Sequence, residues 1–280
     1  LAYKQDIILN ISSFDDLKHI ESFYLKNTVS PKYHLKFDTG MTRLGFDLNN
    51  AEAIYESLSK PLHPYIEGVY THFATADEGD LSYAKKQLSD FKMVVRKVES
   101  FGLKFKFIHC SNSGAVLNLE KSYFNMVRVG MLLYGALPSN EVIDNIGIKP
   151  VMSFCGSIVN VRKVKKNTPV SYGGVYKTAS DTNIAVIQTG FADGFPRPWF
   201  ERGYVIYNGQ KFKIAGRVCM DQLMIDFGNV VPELGDDVLF FGDNQNGHLP
   251  VEIIADQINS TPYVLFTAIG GRTKLIYMNE

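Results

Sequence analysis

Four polar clusters interrupt the first 135 residues, each carrying side chains able to do chemistry where an apolar run opens into a loop. The first is His34-Leu35-Lys36-Phe37-Asp38-Thr39-Gly40-Met41-Thr42-Arg43-Leu44-Gly45. Lys36 alternates with apolar neighbours, and a lysine pointing into a barrel must be paired or chemically modified. Arg43 follows a glycine turn and has the planar fork that clamps a carboxylate. The second, Thr71-His72-Phe73-Ala74, places a histidine at a strand end, a position that suits a satisfied core residue as well as an acid–base group. In the third, His109-Cys110-Ser111-Asn112-Ser113-Gly114, small hydrogen-bonding residues converge as an oxyanion or phosphate site requires, and as a capped helix start also does. The fourth runs from Asn125 to Gly135. Arg128 lies there in an apolar run and needs an internal partner, and Gly130 permits close backbone approach to a ligand.

The second half offers Ser171-Tyr172-Gly173-Gly174, a tyrosine before two glycines as at a turn tip. Two loop-like segments, Gly190 to Arg197 and Gly216 to Gln222, complete the set. Taken singly, each is bland.

The elements that must position these groups fall into two textures. Strand-like runs at Ile7–Ile11, Tyr33–Phe37, Ile66–Phe73, Phe105–Cys110 and Phe124–Val129 alternate with helix-like segments at Phe14–Tyr24, Asn49–Ser59 and Leu81–Phe101. Ser12 or Ser13 is available to cap the first helix. Leu81, Ala84, Leu88, Phe91, Val94 and Val98 recur at spacings of three and four, and Gly102 stops that helix. Strand-helix alternation means parallel pairing with right-handed crossovers. From about residue 150 the runs Val151–Val164, Asn183–Gln188, Tyr204–Ile214, Leu223–Phe227 and Val238–Phe241 are strand-like, with Asn208-Gly209 signalling a hairpin. Only Val251–Ile258 looks helical. The fold class is therefore α/β plus all-β, an incomplete TIM-type α/β barrel over 1–140 followed by a β-barrel-like domain over 141–280, joined through Pro138–Pro150. Four or five βα units at roughly 30 residues each fall about three short of a closed eight-stranded barrel.

Composition narrows the partners. Lys plus Arg number 29 and Asp plus Glu number 29, and a net charge of zero lacks the basic excess that nucleic-acid binding rests on. With 45% apolar and 21% charged residues the chain is globular. Cys110, Cys155 and Cys219 are far apart with no CxxC pair, which argues against a disulfide framework or thiolate metal site and suits a reducing cytoplasm. No run approaches the roughly 20 apolar residues of a membrane helix. The start has no signal-peptide core, and Leu1 stands where an initiator methionine would.

Read in order, the segments LKFDTGMTRLGF, THFATADE, HCSNSGAVLN, FNMVRVGMLLYG, VSYGGVY, TGFADGFPR and GRVCMDQ resemble those of bacterial alanine racemases of the pyridoxal-phosphate type, over about Leu1 to Tyr277. The resemblance implies an eight-stranded α/β barrel followed by a β-domain. It also implies interconversion of L- and D-alanine for peptidoglycan, a homodimer with shared active sites and pyridoxal 5'-phosphate as cofactor. Tyr172 resembles the base that works on one face of the substrate, a Schiff-base lysine serving the other. His72 and Arg128 resemble the chain linking that tyrosine to the cofactor, with Arg128 at the pyridine nitrogen. Arg43 resembles the group reaching the substrate carboxylate, and Lys36 resembles a lysine often carbamylated in the family. Ser113, Gly130 and Met131 match phosphate-binding positions, with Tyr263 nearby, and Asn112 and His109 lie around them. Met220 and Asp221 match a substrate-pocket loop supplied by the partner subunit.

Three departures follow. The motif close to AVVKANAYG that carries the Schiff-base lysine does not occur, so about three βα units are expected to be missing and the 280 residues alone are expected to be inactive. Phe191 stands where many members have tyrosine, and Gly271 stands where many place a tyrosine before the arginine. A racemase of another amino acid, a related barrel decarboxylase and an inactive scaffold are the alternatives.

Overall fold

The computed structural model describes residues 1–142 and 146–278. The chain folds as two compact units, Leu1–Gly130 with Glu141 and Val142 forming the first and Met131–Asn140 with the residues from Ile146 onward the second. Of the Pro138–Pro150 segment, residues 143–145 lie outside the described residues.

In the first unit, β1 (Leu9–Ile11), β2 (Tyr33–Lys36), β3 (Ile66–Tyr70) and β4 (Phe107–His109) form a parallel sheet in chain order. Between them run α1 (Phe14–Asn27), α2 (Ala51–Ser57) and α3 (Ser82–Ser100). Ser13 caps α1: its hydroxyl accepts from the Asp16 N–H at 3.1 Å, and Asp16 accepts from the Ser13 N–H at 3.0 Å. This reciprocal pair satisfies two donors that the first turn would otherwise leave open. The apolar stripe of α3 is buried as its spacing requires, through Ala84, Leu88, Phe91, Val94 and Val98. Each such side chain larger than alanine stabilises by about 1.5–3 kcal/mol on burial, which decides the face α3 presents.

Strand β2 shows how the fold separates scaffold from chemistry. Tyr33, Leu35 and Phe37 join the core formed with α1, α2 and α3. Because successive side chains leave opposite faces, His34 and Lys36 stand on the other side, buried with the polar ends of β3 and β4.

Phe124–Val129 is not a strand of its own. Only Met126 makes a parallel bridge, to His109. Phe124 has φ +47°, which breaks an extended run. The Asn125 side chain then takes over ladder bonds to β4, accepting from the Ile108 N–H at 2.8 Å and donating to the Lys106 carbonyl at 2.9 Å. A helix at Ser113–Asn118, α4, follows β4.

The second unit is a closed antiparallel barrel. Its strands are β5 (Phe154–Val164), β8 (Thr182–Ile187), β9 (Tyr204–Tyr207), β10 (Gln210–Ile214), β11 (Leu223–Asp226) and β12 (Asp237–Asn244), and β12 closes on β9 where Leu239 faces Ile206. The turn at Asn208-Gly209 has φ +48° and +75°, the left-handed pair that matches strand twist in a two-residue hairpin. Beyond the expected runs lie the short pair β6 (Pro169–Val170) and β7 (Tyr176–Lys177), and β13 (Gly247–Leu249) on the edge of β12. Besides α5 (Val251–Gln257), a second helix, α6, spans Pro262–Ala268. No element is expected there from the sequence; its aromatic and β-branched residues favour extended structure, while Pro262 in its first turn is the helix signal.

Candidate active site

Arg128 gathers three of the first unit's polar clusters at the C-terminal ends of β3 and β4. Its Nη1 donates to His109 Nδ1 at 2.5 Å. Its Nη2 donates to the Thr71 carbonyl at 2.9 Å, to His72 Nδ1 at 3.1 Å and to the Cys110 carbonyl at 3.3 Å. The guanidinium lies 5.1 Å from the Tyr70 ring centroid, and the Tyr70 hydroxyl donates to Asn10 on β1 at 2.7 Å. The backbone helps as well, since the Arg128 N–H donates to the Ser111 carbonyl at 2.9 Å. The internal partner that an arginine in an apolar run requires is thus a set of imidazoles, carbonyls and a ring face rather than a carboxylate.

The electrostatics follow from burial beside a fixed cation. His109 is pushed down to about 3, first by burial, then by Arg128 and His34. His72 is pushed down to about 4, by burial and then by Arg128, Arg43 and Lys36. Both imidazoles are neutral near pH 7, and each turns its unprotonated Nδ1 to a donor that cannot give up its proton. His109 Nε2 in turn lies 2.9 Å from His34 Nδ1.

The loop carrying His72 is held from α3. Gln87, fully buried, donates to the His72 carbonyl and to Thr39 Oγ1, both at 3.2 Å, and accepts from the Ala74 N–H at 2.9 Å. Sequence reading passed over it, although a glutamine between Ala84 and Leu88 on an apolar stripe is a visible signal. Asp38 was also missed. Its carboxylate accepts from the N–H groups of Gly40 (2.8 Å), Thr42 (3.1 Å) and Arg43 (3.1 Å). Burial would raise its pKa, but these backbone bonds outweigh that and hold it below the usual carboxylate value. Asp38 is what shapes the loop that presents Arg43, whose side chain is exposed.

Lys36 is buried with its Nζ 5.9 Å from the Tyr70 ring centroid. Among the described residues no carboxylate pairs with it, so of the two expected outcomes, pairing by an acid is not the one seen. Burial first and Arg43 second pull its pKa down. Ser113 and Gly130 are brought together, the Gly130 N–H donating to Ser113 Oγ at 3.0 Å. That N–H is therefore engaged within the chain, and the Ser113 hydroxyl hydrogen is the donor left over. Asn112 caps α4 by accepting from the Ala115 N–H at 3.0 Å, and donates to the Phe73 carbonyl at 3.4 Å. Met131 belongs to the second unit, where it is buried in that unit's core.

In the second unit, Tyr172 sits on the turn between β6 and β7, 68% exposed, with Gly173 and Gly174 at φ +74° and +53°. Among the described residues its hydroxyl has no hydrogen-bond partner. The loops expected to frame a pocket are joined edge to edge. The Phe191 N–H donates to the Cys219 carbonyl and the Ala192 N–H to the Met220 carbonyl, both at 3.0 Å. A Cβ at Gly190 would come within 2.2 Å of the Met220 oxygen, so only glycine allows this approach. Arg272 ties the pair together, with Nη2 donating to Asp221 and Nε 3.4 Å from Asp193. Sequence reading gave Arg272 no role. Phe191 is stacked under Arg197, at 5.5 Å, and Tyr263 is exposed on α6.

Residues 1–138 match the family model for the alanine racemase N-terminal domain, and residues 151–277 match that for the C-terminal domain. The chain belongs to the alanine racemase family. It is 35% identical to the alanine racemase of Desulforamulus reducens over 99% of this chain and 75% of that protein. With the alanine racemase of Carboxydothermus hydrogenoformans it shares 39% identity over 88% of this chain and 67% of the relative. The solved alanine racemase of the D-cycloserine producer Streptomyces lavendulae superposes with a TM-score of 0.93 at 31% identity, covering 100% of this chain and 74% of that one. The Bartonella henselae alanine racemase, solved with covalently bound pyridoxal phosphate, superposes with a TM-score of 0.86 at 26% identity, covering 99% and 75%. The α/β barrel and β-barrel domains of this family are the two textures read from the sequence.

Proposed function

We propose that the chain supplies the cofactor-side network and the proton-transferring phenol of a cytoplasmic, homodimeric alanine racemase whose D-alanine serves peptidoglycan. The observation that carries this reading is Arg128, a cation that adds to burial in keeping two histidines neutral and still has donors to offer. Four of its bonds are made through Nη1 and Nη2, which leaves the Nε–H and a second Nη1 hydrogen without a partner among the described residues. The donor set fits pyridoxal 5'-phosphate: unused guanidinium donors for an unprotonated ring nitrogen, and for a phosphate the hydroxyl hydrogen of buried Ser113, whose oxygen is already held by the Gly130 N–H. When bound, the cofactor withdraws electrons and makes the substrate α-proton acidic.

Arg128 donates without protonating its partner, which tempers that withdrawal and favours simple proton exchange over side reactions. His72 accepts from Arg128 at Nδ1, so its proton is on Nε2, ready to donate toward a phenol oxygen. Tyr172, on its exposed turn, takes and returns the proton on one face of the substrate, from the partner subunit's side of a shared site. The second base belongs on the opposite face and corresponds to the lysine of the motif that these residues do not contain. Lys36 has the lowered pKa that reaction with carbon dioxide needs, and its carbamate would give Arg43 an anion to rest on while Arg43 faces the substrate, the loop with Met220 and Asp221 entering from the partner subunit.

The test uses the product of the gene that encodes these 280 residues. Alanine, serine, lysine and ornithine are offered with and without pyridoxal phosphate. Cofactor-dependent inversion of alanine is the expected result. Decarboxylation of lysine or ornithine, inversion of another amino acid alone, or no turnover would overturn the reading in favour of the corresponding alternative.

A further inference from the structure

The bond between His34 and His109 is used by no step above, and it ends on an unpaired atom. Arg128 can only donate, so His109 Nδ1 must accept, and the single proton of the neutral ring is on Nε2. That Nε2–H faces His34 Nδ1 at 2.9 Å, so His34 accepts there and carries its own proton on Nε2. His34 Nε2 is buried with no partner among the described residues. Its wall is Gly68 on β3, where a Cβ would lie 2.8 Å from that nitrogen. Donation therefore runs one way, Arg128 to His109 to His34, and stops at a buried N–H, an arrangement that costs about 1–3 kcal/mol. Stability alone does not account for a histidine in that place.

We infer that His34 is a positioning residue for Arg128, acting through the His109 ring. The His109 ring lies flat on Tyr70, with centroids 4.8 Å apart and planes 10° from parallel. A ring so stacked keeps one freedom, a half-turn about its Cβ–Cγ axis, which exchanges Nδ1 with carbon. The bonds to Arg128 and His34 lie on opposite edges of the ring, and together they resist that half-turn. His34 must stay neutral to accept. Burial and Arg128 favour the neutral form, against the carboxylate of Glu67, which is itself paired with Lys32 and Lys106 at 3.5 and 3.4 Å. The consequence for catalysis rests on the functional reading above; the geometry does not.

The experiment is nitrogen-15 NMR of histidine and arginine side chains in the full chain, unaltered and as His34→Phe and His34→Asn. Phenylalanine keeps a ring against Phe107 but offers no acceptor, whereas asparagine places an oxygen near the former Nδ1. The unaltered chain should show His109 neutral at pH 7 with its proton on Nε2. In His34→Phe, the Arg128 guanidinium protons should exchange about tenfold faster, as expected for loss of a buried bond. His34→Asn should restore slow exchange. His109 protonated on Nδ1 in the unaltered chain overturns the inference whether or not the variants fold. So does unchanged exchange in His34→Phe, or no recovery in His34→Asn. Alanine inversion is assayed in parallel on the whole product of the gene; its absence there counts against the functional reading alone, because the NMR observes His109 directly.

Discussion

Arg128 and Tyr172 make opposite use of their surroundings. The guanidinium is anchored at both terminal nitrogens, stacked on Tyr70 and flanked by two imidazoles that burial and its charge keep neutral. The phenol is two-thirds exposed on a two-stranded turn and bonds to nothing among the described residues. One region is preorganised, its geometry settled by folding. In the other, the scaffold is fixed, through the joined Gly190–Asp193 and Cys219–Gln222 loops, while the reactive group is left free. A proton carrier must reach a partner, and a charge that sets the electronics of a site must not move. The contrast is what a division of labour between those two tasks looks like.

The largest expected effect tests the free side. In the whole product of the gene, Tyr172→Phe should lower alanine inversion by about 10²–10⁴-fold, with proton removal from one enantiomer failing more than from the other. Its melting temperature should be unchanged, because the lost hydroxyl holds no bond. A comparable fall in stability would mean that the phenol is structural. On the anchored side, Arg128→Met should destabilise the first unit by about 3 kcal/mol in urea unfolding, since two carbonyls and His109 lose their donor. Gln87→Leu should cost about 1–2 kcal/mol by the same measure and loosen the His72 loop.

The pH dependence sharpens the comparison. His72 and His109 titrate at about 4 and about 3 in the folded chain, against an ordinary value of 6.5. Folding favours their neutral forms, so stability is complete above pH 6.5 and declines as pH falls toward those values. Arg128→Met should make that acid decline shallower, because the guanidinium is the second cause of both depressions after burial. A decline of unchanged steepness would put the cause in burial alone. The smallest effect is expected at Arg272→Ala. The Arg272 side chain is half exposed in both ion pairs, so the melting temperature should hold, while amide exchange at Gly190–Asp193 should quicken.

Local pattern carried a good deal of this. The Ser13 cap, the α3 stripe, the Asn208-Gly209 turn and the switch from alternating α/β to all-β each depend on neighbours within a few residues, and all can be read along the chain. The polar clusters were legible as candidates because charge in an apolar run demands an explanation. Phe124–Val129 was misread because its apolar content suits a strand, whereas Asn125 uses side-chain atoms for the ladder bonds. Helix α6 was missed because its residues favour extended structure and packing overrides that preference.

By itself, then, the sequence determined which residue types stand at strand ends and which faces must be apolar, because burial and periodicity act locally. It could not decide that Arg128 meets His109 and His72, that Gln87 holds the loop beside them, or that His34 ends the chain of donation on an unpaired nitrogen. Those contacts join residues 13 to 75 positions apart. Hydrogen bonds have direction and reach of only a few ångströms, so only the folded register of β2, β3 and β4 could settle them.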